Sequence, residues 1–341
     1  MKRVGFLIAA VMIAAVFSSV STASAMNIRF NIMYAPKHPL VVEAFAPWAE
    51  EVAKVTNGRV TVTLFPSSAL APPPQVYDSV VSRAADMGVS APSYARDRFL
   101  LTGVMDLPMV GGRKAEDSSS VLWELVERFP AIQDEYKDVK LLWTYTNPAY
   151  QLHFTNRRVE TLEDLSGSVI SAGGTVSTHI VRALGASPEA IPMVDVYLAL
   201  QTGVVEGCFL PYAPLRSQRM ADVLKYHTEA DLVANTFYVV MNKRVWDRIS
   251  AEDRKAIEEI SGAVMARNCG RIFDKHQEID RAWMKEKGDE FIELSAEERG
   301  RWIERILPIR DIWLNDTDAR GLPGQEILDT ALKLMEERAA N

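Results

Sequence analysis

Only two of the 341 residues are cysteine, Cys208 and Cys269, so no disulfide framework builds this fold. Whether the two pair is open, since spacing alone does not supply the geometry of a bond. The five histidines, His38, His153, His179, His227 and His276, are scattered, and no two have the close spacing on one helix that a zinc motif needs. There is no Gly-rich phosphate loop and no Gly-x-Ser-x-Gly elbow. A secreted hydrolase or lyase using Asp86 with His38 lacks a nucleophile, base and orienting group at workable spacing. No catalytic residue, metal or cofactor is therefore expected. Lys and Arg total 38 against 45 Asp and Glu, a formal charge of −7, and no basic block occurs, which argues against nucleic acid. Beyond the N-terminus no apolar run is long enough to span a bilayer.

What is present starts at that N-terminus. Met1-Lys2-Arg3 precedes an apolar run from Val4 to Val20 and then Ala23-Ser24-Ala25, the order of a secretory signal peptide cleaved after Ala25. Ser18, Ser19, Ser21 and Thr22 interrupt the run, which disfavours a membrane anchor. Losing Lys2 and Arg3 takes the formal charge from −7 to about −9. The mature chain from Met26 is expected to be exported and long enough for two lobes with their own cores.

Asn27 to Met33 alternates as a strand, Pro39 to Val55 has helical spacing, and Arg59 to Phe65 alternates again. Pro73 to Ala84 reads as a helix and Asp86 to Ser90 as a strand, giving the rhythm of an α/β domain. It restarts at Leu141 to Tyr145, Gln151 to Asn156 and Val169 to Ser171, which implies a second α/β lobe. Gly173-Gly174 reads as a turn. After Ala251 the pattern is helical, with Ala256, Ile257, Ile260, Val264 and Ile272 on one expected stripe of a long helix.

The phrase from Asp195 to Gly207, Asp-Val-Tyr-Leu-Ala-Leu-Gln-Thr-Gly-Val-Val-Glu-Gly, is similar to one in the DctP-type solute-binding proteins of TRAP transporters. Thr56-Asn-Gly-Arg-Val60, Thr161-Leu-Glu-Asp-Leu-Ser-Gly167, Leu184-Gly-Ala-Ser-Pro188 and Met241-Asn-Lys-Arg-Val-Trp246 follow the order of that family. The resemblance implies a non-enzymatic periplasmic binding protein, a monomer that hands a small molecule to TRAP membrane permease subunits. It also implies a two-lobed α/β fold closing by hinge motion, with a long helix spanning both lobes. Residues 26–148 with 236–275 are expected to form one lobe, and 149–235 with 276–341 the other.

The chain departs from the family where the ligand is held. Most members place an arginine for a ligand carboxylate four residues after the Gly of the Leu-x-Gly phrase; here that position is Ser171. No arginine stands at Tyr150-Gln151-Leu152, and Leu210 replaces an expected Asn. An unpaired buried carboxylate is costly, so the expected ligand is an amine or quaternary ammonium alcohol such as ethanolamine or choline, held by cation–π attraction. A neutral or aromatic solute, or a carboxylate held by a relocated Arg96 or Arg98, is the alternative. The ligand-binding residues expected on this reading are Trp143, Tyr145, Tyr150, Gln151, Ser171, Phe209, Tyr212, Phe237, His38 and Ser90, although core packing is the competing role for each aromatic among them.

Overall fold

The computed structural model describes residues 25–340, so the expected leader, save Ala25, lies outside the described residues. In chain order the strands are β1 (Met26–Asn31), β2 (Val60–Phe65), β3 (Met87–Ser90), β4 (Val139–Thr146), β5 (Gln151–Phe154) and β6 (Val169–Ser171). They continue with β7 (Ser187–Glu189), β8 (Gly207–Leu210), β9 (Tyr226–Glu229), β10 (Thr236–Asn242) and β11 (Glu290–Glu293). These strands form two sheets, one in the order β2-β1-β3-β10-β4 and one in the order β11-β9-β5-β8-β6-β7. β3 and β10 are buried along their whole length, whereas β2 at the edge of its sheet is partly exposed, as expected for inner and edge strands.

In each sheet one strand runs against both of its neighbours: β10 in the first and β5 in the second. Each is the strand that follows a crossing, because the chain leaves the first sheet after β4 and returns after β9. The carboxyl ends of β3 and β6 therefore open onto the gap between the lobes, the place where an open α/β sheet offers a ligand site.

The helix Gly262–Glu286 runs behind both lobes, about 37 Å long at 1.5 Å per residue. Met265, Cys269, Ile272 and Phe273 pack into the core of the first lobe and Met284 into that of the second. The single stripe expected along this region is broken: Ala251–Glu259 is a separate helix, and Val264 is 57% exposed. The cause is the Ser261-Gly262 step. Ser261 Oγ donates to Ile257 O at 2.6 Å and accepts from Trp48 Nε1 at 3.1 Å, while Gly262 turns with φ +50° beneath the Trp123 ring. The turn resets the helical phase, so residues after it face a new direction.

The C-terminal segment also departs from the expected partition. Trp302, Ile306 and Ile309 pack in the second lobe's core. Trp313, Ile327, Leu328, Ala331 and Leu334 instead pack with Leu100, Leu101, Val121, Leu122 and Leu125 on the first lobe's side. The apolar stripe of helix Gly324–Ala339 finds its complement on helix Ala115–Arg128, so 276–341 does not belong as a whole to the second lobe. Cys208 and Cys269 are free, each buried in a different lobe's core.

Candidate functional site

The crossings that follow β4 and β9 are tied to each other. Asn147 N donates to Asn235 O at 3.0 Å, Asn235 N donates to Asn147 Oδ1 at 2.7 Å, and Tyr150 N donates to Val233 O at 2.8 Å. Gln151, expected to face a ligand, is instead a clasp. Its Oε1 accepts from the Ala230 and Asp231 backbone at 2.7 and 3.0 Å, and its Nε2 donates to Asp231 Oδ1 at 2.6 Å and Ala149 O at 3.3 Å. All four capacities of the amide are used, which ties the start of β5 to the segment that follows β9.

Beside these paired crossings lies a cleft between the lobes. One wall is the segment after β3, with Ser93, Arg96, Gly103 and Asp106; the other is the segment after β6, with Gly173, Gly174 and the first turn of helix Thr175–Ala183. Val233 to Asn235 form its base, and Phe99, Leu100, Leu107, Val176 and Trp313 supply apolar surface. Gly174 adopts φ +83°, and a Cβ there would sit 3.6 Å from the Ser93 side chain, so the lobes meet at this glycine. No side chain caps the helix that Gly174 opens, and its first turn, Thr175 to Ser177, lines the cleft at the positive end of the helix dipole.

Arg96 brings the cleft its cation. It donates through Nη2 to Asp316 Oδ2 at 3.2 Å, which leaves most of its donors available. Its charge reaches the opposite lobe: burial first, then Arg96 and Arg182, hold His179 below its usual range. Arg98 takes another course, with its guanidinium 4.2 Å above the Tyr77 ring and paired to Asp78 and Asp138 at 3.3 and 3.7 Å. Asp106 is 7% exposed and accepts from Thr236 N at 2.6 Å through Oδ1. Burial pushes its carboxyl up to about 7, against the opposing pull of Thr236 and Arg96. Tyr150 neighbours it: burial raises the phenol above its usual range, and the Asp106 charge adds to the rise.

The remaining residues expected at the site fall into three places. His38, Tyr145 and Phe237 come together around Tyr34: His38 stacks on Tyr34 at 4.1 Å between centroids, the Tyr34 and Tyr145 hydroxyls share a hydrogen bond at 2.9 Å, and Tyr145 stacks on Phe237 at 5.1 Å. Burial, with His276 adding, lowers His38 to about 4, so its ring is neutral at pH 7. Trp143 and Phe209 are wholly buried. Trp143 packs edge-on to Trp48 at 5.0 Å and Phe209 packs against Tyr150 at 5.3 Å. Tyr212 donates its hydroxyl to Glu229 at 2.9 Å, a carboxylate that Arg281 forks at 2.7 and 2.8 Å. Ser90 donates to Pro73 O at 2.7 Å, and Ser171 is buried at the end of β6 between Cys208 and Glu189. Asp106 and the helix start at Thr175 were not singled out from sequence. The Gly173-Gly174 pair, read there only as a turn, was the available signal for the second.

Two α/β lobes, paired crossings and a cleft edged by one arginine and one helix terminus define a two-lobed solute-binding protein. Residues 30–315 match the bacterial extracellular solute-binding proteins, family 7 (DctP), and the chain belongs to that family. It is 30% identical over 315 residues to the Comamonas testosteroni outer membrane transporter protein TsaT, covering 91% of each. It is 29% identical over 317 residues to the Rhodobacter capsulatus C4-dicarboxylate-binding periplasmic protein DctP, covering 91% of this chain and 93% of that one. A crystal structure of a TRAP periplasmic solute-binding protein from Bordetella bronchiseptica, with bound (R)- and (S)-mandelate, superposes with a TM-score of 0.84 at 28% identity. The match covers 92% of this chain and 99% of the other. The protein is thus a TRAP periplasmic solute-binding protein, of a family that binds small molecules and works with TRAP membrane permeases rather than catalysing a reaction.

Proposed function

We propose that the cleft captures a small organic carboxylate, held by Arg96 and by the leading N–H groups of helix Thr175–Ala183, for delivery to the permease. The observation that carries this reading is Arg96, which lines the cleft with free donors although the family's usual arginine position is Ser171. A guanidinium facing helix N–H donors matches a carboxylate in both charge and geometry. The apolar lining from Phe99, Leu107 and Trp313 suits a ligand with a hydrocarbon or aromatic body. The named ligands of the relatives, a C4-dicarboxylate and mandelate, are carboxylates too. This reading replaces the amine or quaternary ammonium alcohol expected from the missing arginine. No relative named above supports that ligand, and the aromatic residues expected to hold it are largely core.

On this proposal the chain acts as a monomer, exported with removal of residues 1–25, and closes about the Asn147–Asn235 pair. A thermal-shift screen of the chain from Met26 against matched carboxylates, amines and neutral aromatics tests the ligand class. Stabilisation by carboxylates is the expected result; stabilisation by amines or neutral compounds alone would reject the role given to Arg96.

A further inference from the structure

The cleft holds one feature that a simple carboxylate leaves unanswered, the buried Asp106. Among the described residues no Lys, Arg or His forms an ion pair with it; Thr236 supports it, the backbone N–H donating to Oδ1 at 2.6 Å, and the Arg96 charge acts on it from a distance. The other oxygen, Oδ2, lies over Gly103, where even an added Cβ would stand 4.0 Å away. Gly103, Asp106 and Arg96 all line the cleft, so the carboxyl stands at the wall that a bound solute would meet. Arg96 carries its own counter-ion in Asp316. An ionised Asp106 therefore leaves the cleft with one uncompensated negative charge. A plain monocarboxylate would bring a second negative charge beside it, in surroundings where like charges repel strongly.

We infer that the solute is an amino carboxylate or betaine-like zwitterion, its carboxylate on Arg96 and its cationic nitrogen on Asp106. This rests on the carboxylate reading of the cleft and deepens it. A zwitterion brings no net charge to the site: its cation supplies the partner that Asp106 lacks, and its carboxylate takes the donors that Asp316 leaves free on Arg96. Charge-assisted hydrogen bonds at both ends of the ligand would fix its direction in the cleft, and the apolar wall would receive its body.

Isothermal titration with matched pairs that differ by one ammonium group tests this: phenylacetate and phenylglycine, 3-phenylpropionate and phenylalanine, butanoate and 4-aminobutanoate. The amino member of at least one pair is expected to bind tenfold or more tightly than its partner, and Asp106→Asn is expected to abolish that preference. A wild-type measurement covers the case in which the variant does not fold. Asp106 faces Arg96, Tyr150 and Thr236 and ionises near pH 7, so affinity for the amino member should rise about tenfold from pH 6 to pH 8. Preference for the plain acid, with affinity falling over that range, would overturn the inference while leaving the carboxylate reading standing. Failure of every member to bind would remove both.

Discussion

Replacing Asp106 with asparagine should stabilise the ligand-free protein, by an amount that grows as pH rises from about 4 to about 7 and then levels off. The amide keeps an oxygen for the Thr236 N–H and removes the charge. In the native protein burial holds the Asp106 carboxyl at about 7, against an ordinary value of 3.8. The native state therefore binds more protons than the unfolded state between those values, and stability falls as pH rises through that window. By pH 8 the cost reaches about 4 kcal/mol as an upper figure, since each tenfold change in protonation is worth about 1.4 kcal/mol. Local relaxation brings the expected gain for Asp106→Asn at pH 8 to about 2 kcal/mol, or roughly 4–8 °C in Tm. Near pH 4 the two proteins should melt within about 1 kcal/mol of each other. Thermal melts by circular dichroism at pH 4, 6 and 8 make the comparison. A variant that is no more stable than wild type at pH 8 would refute the reasoning, because it would mean that the free protein already compensates the charge.

Two further changes probe the machinery around the cleft. Gln151→Leu strands the Ala230 and Asp231 N–H groups that its Oε1 now accepts, and should cost about 2–4 kcal/mol in urea denaturation; a loss under 1 kcal/mol would show that the clasp is dispensable. Gly174→Ala puts a Cβ at φ +83° against Ser93. About 1 kcal/mol of stability should go with it, and ligand affinity should fall because the lobes meet there; unchanged affinity would remove Gly174 from the closing contact.

The lobes were legible because each is announced by alternating apolar strands such as Arg59 to Phe65 and Leu141 to Tyr145, and because Asp195 to Gly207 carries a long ordered phrase. What the pattern could not give was direction at the ends of strands. Trp143 and Tyr145 stand on the same face of β4, and the sequence offers nothing to show that both turn into the layer beneath the long helix. Gln151 looked like a ligand contact because it stands near the place where the family often has an arginine, but its partners lie 79 and 80 residues away on the other crossing. Val264 failed for a local reason, since a single residue at φ +50° resets the phase of every helical position after it. Arg96 was visible as one of two candidates. Only the fold distinguishes it from Arg98, by turning one toward Asp316 and the cleft and laying the other on Tyr77.

The central claim is that Arg96 does the work left undone at Ser171. Its direct test is equilibrium titration of a carboxylate found in the thermal-shift screen into wild type, Arg96→Gln and Arg98→Gln. Loss of a buried charge-assisted pair costs about 2–5 kcal/mol, so Arg96→Gln should weaken binding at least thirtyfold with the fold intact by circular dichroism, while Arg98→Gln binds as wild type does. Equal affinity in wild type and Arg96→Gln would contradict the account.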